Sequence, residues 1–410
     1  MASLLSFVFS RAVARGNLEV LTARGVKLVF GDITGPLVAI RFADSASERA
    51  FITDPDMKLG ELFMDGKLTM ESGSIYDFIH LMLKDTRGQK APLFLRSLDR
   101  FRFATRKLRQ RNFASKSKSN VAHHYDLDSR LYKLFLDDDM QYSCAYFETP
   151  EHSLGEAQLA KKRHIAAKLC VEPGMNVLDI GCGWGGMAMY LARFARAGSV
   201  LGVTLSEEQI AIARQRIATG GLDDKVRFAL QDYRSVTGTF DRIVSVGMFE
   251  HVGVAFYDTF FKTCHRLLDR NGVMLLHTIG CSDVPGFVTP WLDKYIFPGG
   301  YIPSLSEIIP VIERAGLIVS DVEILQLHYA ETLKAWRARF MARRAEAVAL
   351  YDERFCRMWE FYLAAAEAAF RCEDLNIFQL QITREPAKSP TTRNYITTRE
   401  QALKAEEDKV

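Results

Sequence analysis

The run Val177-Leu-Asp-Ile-Gly-Cys-Gly-Trp-Gly-Gly186 sets an acid, Asp179, near the end of an apolar, strand-like stretch. Glycine then follows at 181, 183 and 185. A buried strand that turns sharply through glycines lets backbone come close to a ligand. The spacing is Gly-x-Gly-x-Gly, not the Gly-x-Gly-x-x-Gly that cradles a pyrophosphate on a helix N-terminus. The ligand expected here is therefore nucleotide-like but free of phosphates: S-adenosylmethionine, with its methionine part over Gly181, Gly183 and Gly185. Taken alone, such a loop can also be a tight turn and nothing more.

Further residues able to do chemistry gather in four short segments. These are Gln141-Tyr-Ser-Cys-Ala-Tyr-Phe147, Met248-Phe-Glu-His-Val-Gly253, Leu275-Leu-His-Thr-Ile-Gly280 and His328-Tyr-Ala-Glu-Thr-Leu-Lys-Ala-Trp336. Each has an ordinary reading by itself. Cys144 reads as a small core hydrophobe, His277 as a satisfied histidine at the end of an apolar strand, and Tyr329 as packing. Glu250 is harder to set aside, because an acid just after a hydrophobic strand sits at the ligand edge. His251 beside it reads as structural or as support behind the site. Cys182, inside the glycine turn, reads as tight packing, since the sequence places no base beside it.

The elements that must position these residues alternate. Strands are predicted at Asn176–Ile180, Val200–Leu205, Val226–Leu230, Phe240–Val246 and Val273–Thr278, with helices over Gly186–Ala195, Glu207–Thr219 and Ala255–Leu268. That spacing means βαβ units and a parallel sheet in an α/β fold. A helix Ser306–Ala315 with Ser306 as N-cap, a strand Ile318–Leu325, a long helical pattern Thr332–Arg371 and a last strand Phe378–Thr383 follow. The charged tail after Glu385 is expected to be loose. Ligands of open parallel sheets lie at the carboxyl ends of the strands. After the second strand, Thr204 stands where many methyltransferases carry an acid for the ribose, so Gln209 is expected to assist it. After the third, Asp232 can accept from an adenine amino group, or serve only as a turn residue.

At 410 residues, 48% hydrophobic and 25% charged, the chain has the composition of a globular protein with room for two domains. No apolar run reaches membrane-span length, and the start lacks the pattern of a secretory signal. Seven cysteines without a Cys-x-x-Cys pair point to a reducing cytoplasm, with no disulfide frame and no metal site. The net charge of +3 does not argue for nucleic acid. Its distribution is uneven: Arg96, Arg100, Arg102, Arg106, Lys107, Arg109, Arg111, Lys116 and Lys118 face one acid, Asp99. With Leu98, Phe101, Thr105 and Leu108 at roughly helical spacing, this stretch suits an anionic membrane surface, or is a solvated linker. The polar run at 112–120 breaks every apolar period. It divides an N-terminal α+β domain with basic linker, residues 1–115, from residues 116–390, with 391–410 as charged tail. The leading part shows strands at Val26–Phe30 and Leu37–Phe42 and helical patterns at Lys58–Met64 and Ser74–Leu83.

Taken together, the four segments resemble the cyclopropane fatty acid synthases and the related mycolic acid methyltransferases, over nearly the whole chain. Asn120-Val-Ala-His-His-Tyr-Asp126 opens the catalytic domain as in that family. Leu59-Gly-Glu-Leu-Phe-Met-Asp-Gly66 resembles the extra domain of the phospholipid-acting members. The resemblance implies a class I methyltransferase, Rossmann-like parallel-sheet domain with a helical insertion, preceded by the small α+β domain. It implies a bicarbonate held by Cys144, Glu250, His277 and Tyr329 and the backbone of Ile279. Tyr142 and Ser143 would contact the methionine end; Thr204, Leu205, Gln209, Asp232 and Tyr233 would take ribose and adenine. The implied reaction is methylene transfer to the cis double bond of unsaturated phospholipid acyl chains, by a peripheral, cytoplasmic-face enzyme, with a homodimer suggested by relatives.

The chemistry accounts for such residues. An isolated alkene has no proton to lose beforehand, so methyl transfer from the sulfonium leaves a carbocation, and a base must then deprotonate the new methyl for a ring to close. A side-chain carboxylate risks being methylated, whereas an exchangeable bicarbonate does not stay with the enzyme. Tyr142 and Tyr329 could face the cation, a contact of about 2 kcal/mol when desolvated. Orientation is the larger effect, at ~7–11 kcal/mol, and electrostatic preorganisation adds to it. Loss of a different proton would leave a methylene, or a methyl branch after reduction. A small-molecule N- or O-methyltransferase and a catalytically silent lipid-binding protein are the more distant alternatives.

Overall fold

The computed structural model describes residues 2–85, 128–283, 285, 288–386 and 390–409. The basic stretch 96–118, the boundary at 112–120 and the Asn120–Asp126 segment lie outside them. The described residues fall into two compact units. The first takes those of 1–101, 288–297 and 329–375, and the second those of 102–287, 298–328 and 376–410. No helix among the described residues is long and apolar enough to cross a membrane.

The first unit is a four-stranded sheet with helices over it. Strands β1 (Asn17–Leu21), β2 (Lys27–Phe30), β3 (Leu37–Phe42) and β4 (Leu68–Ser72) take the order β2-β1-β3-β4. β1 and β3 are parallel and the outer pairs antiparallel. Phe9 stacks on Phe51 at 5.3 Å and meets Phe78 edge-on at 6.3 Å, joining the helices Ala2–Ala12, Ser45–Thr53 and Ile75–Leu83 in one aromatic core. The unit is not the continuous N-terminal block expected at 1–115. Trp291, from Pro290–Tyr295, packs against Phe361 at 4.6 Å, and its indole N–H reaches Met64 Sδ at 3.3 Å. A Cβ on Gly60 would fall 2.3 Å from that indole, so glycine is required for the approach. The long helical pattern expected at Thr332–Arg371 is three helices, His328–Ala342, Arg344–Leu350 and Glu353–Cys372, and residues 329–375 belong to this unit. Apolar faces in the leading segment find their partners far along the chain, which local periodicity does not reveal.

The second unit is built on seven strands: β5 (Asn176–Ile180), β6 (Ser199–Thr204), β7 (Val226–Leu230), β8 (Phe240–Val246), β9 (Leu268–Cys281), β10 (Ile318–Leu325) and β11 (Leu375–Thr383, from Asn376 on). Their order is β10-β11-β9-β8-β5-β6-β7. The run from β9 to β7 is parallel, and β10 pairs antiparallel with β11. The chain leaves β5 for β6 and β7 on one side and returns to β8 on the other, so the switch point lies between β5 and its two neighbours. Both faces are covered, which is why these strands read as continuous apolar runs. On one face Phe249, Phe260, Phe261 and Ile308 enter the core, and on the other Ile165, Leu191 and Ala213 do.

Two expectations are corrected here. The helix Leu305–Arg314 is capped by Ser304 in a capping box with Glu307, not by Ser306. The tail is not loose: Asn394–Glu407 is a helix packed on Leu154–Lys168. Arg163 meets Glu407 at 2.7 Å, His164 Nδ1 meets Glu400 at 2.6 Å, and Tyr190 donates to Glu407 at 2.5 Å. Ile396 is the one buried apolar side chain of that helix. Its anchoring is therefore electrostatic and carries almost no hydrophobic signature in sequence.

Candidate active site

The glycine turn follows β5 directly. Gly181, Gly183 and Gly185 have φ of 82°, 53° and 86°, the left-handed region that favours glycine. They differ in what a side chain would meet. A Cβ at Gly181 falls 2.6 Å from Met248 Cβ, and one at Gly185 falls 2.4 Å from the Phe228 ring. At Gly183 a Cβ meets nothing within 4 Å, because this glycine faces a cleft. The cleft encloses about 1180 Å³, part of it open to solvent.

Tyr142, Ser143, Asp179, Gly181, Gly183, Thr204, Leu205, Gln209, Asp232 and Tyr233 all line this cleft. Of the residues expected to hold the methyl donor, Gly185 alone does not; it seats the turn against Phe228. Thr204 donates to Gln209 Oε1 at 3.0 Å, so the two residues expected to act together are hydrogen-bonded to each other. Ser206 caps the following helix through Gln209 N–H, which places Gln209 one turn in. Asp232 lies on the wall and also caps the turn Tyr233–Ser235, and its carboxylate is engaged by Arg234 at 2.5 Å. That pairing, working against burial, holds its carboxyl below the usual range. Asp179 is buried, and its Oδ2 has no hydrogen-bond partner among the described residues. Burial pushes its carboxyl up to about 7. A positively charged ligand group beside it would relieve that penalty, as the methionine end of a sulfonium nucleotide would.

Behind the cleft, β8 and β9 run in register with Val246 opposite His277. Gly247, on the cleft wall, donates its N–H to His277 O at 2.9 Å. Glu250, in the short turn Phe249–His251, accepts from Ile279 N–H through Oε1 at 2.6 Å. Its Oε2 is buried without a partner among the described residues, and so is His277 Nε2. Burial pushes the Glu250 carboxyl up to about 7 and His277 well below its ordinary value. The fold thus joins Glu250 to the Ile279 backbone, two residues along β9 from His277. The expectation for Ile279 needs correction in one respect: its N–H is committed to Glu250, so an anion would have to share or exchange that bond. Cys144 is buried, with Sγ 3.2 Å from Ala145 O. Tyr329 belongs to the first unit, where its ring packs edge-on against Trp336 and Phe370. It is not among the residues that the second unit assembles.

The structure corrects the reading of one residue and adds another that the sequence reading passed over. His251 lines the cleft rather than standing behind it, and burial pushes it down to about 4, leaving it neutral at neutral pH. Lys161 is fully buried and donates to Gln141 Oε1 at 2.5 Å and Ser143 Oγ at 2.8 Å, holding two wall residues. Burial lowers its ammonium to about 8. Its helix, Leu154–Lys168, opens with a capping box of Ser153 and Glu156. That signature was available in sequence; the burial of its basic residues was not. Cys182 is buried with its thiol pushed well up, as a packing residue.

Residues 113–380 match the family model described as mycolic acid cyclopropane synthetase. The chain is 42% identical over 335 residues to the cyclopropane-fatty-acyl-phospholipid synthase of Escherichia coli, covering 81% of this chain and 84% of that one. It is 36% identical over 387 residues to the tuberculostearic acid methyltransferase UfaA1 of Mycobacterium tuberculosis, covering 88% of each. Among solved structures, the mycolic acid cyclopropane synthase CmaA1 complexed with SAH and CTAB superposes with a TM-score of 0.61 at 36% identity. That match covers 65% of this chain and 97% of that one. A strand order turning at β5, a glycine turn facing a cleft, and these matches lead to one assignment: the chain belongs to the mycolic acid cyclopropane synthetase family of S-adenosylmethionine-dependent methyltransferases.

Proposed function

We propose that the protein is a cyclopropane-fatty-acyl-phospholipid synthase, transferring a methylene to the cis double bond of unsaturated acyl chains in membrane phospholipid. The observation that carries this is two buried polar atoms without partners among the described residues, Glu250 Oε2 and His277 Nε2: Glu250 stands in the chain between the wall residues Met248 and His251, and the His277 carbonyl accepts from the wall residue Gly247. N- and O-methylation need no such pair. When bound, S-adenosylmethionine supplies a sulfonium methyl, and bicarbonate supplies a base not fixed to the chain.

The chain's own residues then bind, orient and exclude water. Tyr142, Ser143 and the turn at Gly181 and Gly183 hold the methionine end, with Asp179 against its positive charge. Thr204, Leu205 and Gln209 take the ribose, and Asp232 and Tyr233 the adenine. Cys144, Glu250 and His277 would hold bicarbonate, with the Ile279 N–H shared between it and Glu250. An anion beside Glu250 is tolerable because a carboxyl raised to about 7 is readily protonated and can donate to it. The polar groups are buried, where fixed dipoles act more strongly than in water.

A second reading keeps the site and changes the product to a methylene- or methyl-branched chain. The 88% mutual coverage with the tuberculostearic acid methyltransferase favours keeping it in view. Incubation with labelled S-adenosylmethionine and unsaturated phospholipid vesicles tests both. Label in a fatty acid that resists hydrogenation supports the cyclopropane, label in one that takes up hydrogen supports the methylene, and unlabelled lipid rejects both. Peripheral attachment to the cytoplasmic face of the membrane and assembly as a homodimer complete the proposal, read by vesicle cosedimentation and light scattering.

A further inference from the structure

A buried polar chain runs through the second unit behind His277. Lys168, whose side chain is fully buried, donates through Nζ to Gln379 Oε1 at 3.1 Å and to Glu323 Oε2 at 2.8 Å. Gln379 Nε2 lies 3.2 Å from His277 Nδ1. Beyond Glu323, His164 Nε2 stands 2.7 Å from the same carboxylate, and its Nδ1 meets Glu400. We propose that Lys168 and Gln379 are positioning residues that fix His277 as the neutral tautomer protonated at Nε2, so that it serves the site as a hydrogen-bond donor and not as a base.

The assignment follows from what each group can do. An ammonium has three hydrogens and no lone pair, so it can only donate, and the carbonyl end of Gln379 must face it. The amide NH₂ of Gln379 then faces His277 and has only hydrogens to offer, so Nδ1 must accept through its lone pair. A neutral ring carries one proton, which is left on Nε2. Turning the amide over would set its NH₂ against the ammonium and its carbonyl against His277, leaving donor facing donor at a fully buried residue. The doubly protonated ring is opposed by burial and by the charges of Lys161 and Lys168. Nε2 has no acceptor among the described residues, so its N–H is available to a ligand of the site. The inference rests on the proposed lipid methyl transfer only in giving that donor a task.

Full-length protein labelled with ¹⁵N-histidine reports the tautomer in long-range ¹H–¹⁵N spectra, with His277→Gln identifying the signal. The expected pattern is Nε2–H. Gln379→Glu keeps the shape and Lys168's partner but turns the donor facing His277 into an acceptor. The expected result is a proton on Nδ1 and a fall in kcat of about 10–100-fold, with the affinity for S-adenosylmethionine unchanged by calorimetry. A wild-type ring protonated at Nδ1 overturns the proposal, and so does a Gln379→Glu variant that keeps both Nε2–H and wild-type kcat. Protein that shows Nε2–H yet labels no lipid refutes the functional reading and leaves the tautomer assignment standing.

Discussion

Two buried acids set the behaviour of the site residue by residue. Glu250 shares one oxygen with the Ile279 N–H and leaves the other without a partner among the described residues. Glu250→Gln removes the acid–base function while keeping the shape. Lipid labelling should fall by about 10²–10⁴-fold, with calorimetric binding of S-adenosylmethionine retained; a variant as active as wild type would remove Glu250 from the chemistry. Asp179 supports a different test. Its carboxyl is raised to about 7 in the free protein, and a cationic ligand favours the ionised form. Binding below pH 7 must therefore release a proton, so affinity should rise between about pH 5.5 and about 7, by at most tenfold per unit, and level off above. Calorimetry in buffers of different ionisation enthalpy reads that proton directly, and Asp179→Asn should abolish it.

Single turns and helices are where the glycines and ion pairs separate into roles. Gly183→Ala pays only for its φ, about 1–2 kcal/mol, since a Cβ there meets nothing. Gly185→Ala meets the Phe228 ring as well. The first variant should fold and lose affinity for S-adenosylmethionine, and the second should lose stability first; thermal unfolding beside ligand titration distinguishes them. The C-terminal helix depends on pairs that are themselves buried. Arg163 and Glu407 have side chains only 6% and 7% exposed, whereas Arg314 and Asp258 are 57% and 50% exposed. Glu407→Ala leaves the buried Arg163 guanidinium with Glu148 alone, at 3.1 Å, and the Tyr190 hydroxyl without its acceptor, and should cost about 3 kcal/mol in urea unfolding, while Asp258→Ala should cost less than about 1 kcal/mol. Much of this was absent from the sequence reading because buried charge has no apolar period.

For the whole molecule, the charge distribution bears on the proposed meeting with a lipid surface. Nine cations between Arg96 and Lys118 face one acid, a balance suited to an anionic surface. Vesicle cosedimentation should weaken between about 0.05 M and about 0.5 M salt, as the screening length shortens. Binding that ignores salt would point to apolar insertion instead. The two units are also interleaved in sequence, the first drawing in 288–297 and 329–375. Truncation at the expected boundary would therefore remove a helix-covered sheet and strand the residues that complete it.

The alternation of strands and helices, the glycine turn and the residues after each strand were legible in sequence. Backbone conformation and the burial of a parallel sheet impose local patterns: period, glycine and apolar runs. From these came the α/β fold, the methyl donor and all but one of its predicted wall residues. Tertiary structure decided the rest. It moved Gly185 from the wall to the packing behind it and brought His251 onto the wall. It set Lys161 behind Ser143, turned the tail into an anchored helix, and joined Lys168 through Gln379 to His277. Each of these depends on groups close in space but remote in sequence, fixed by burial and by the need of buried polar groups for partners, and neither leaves a periodic trace along the chain.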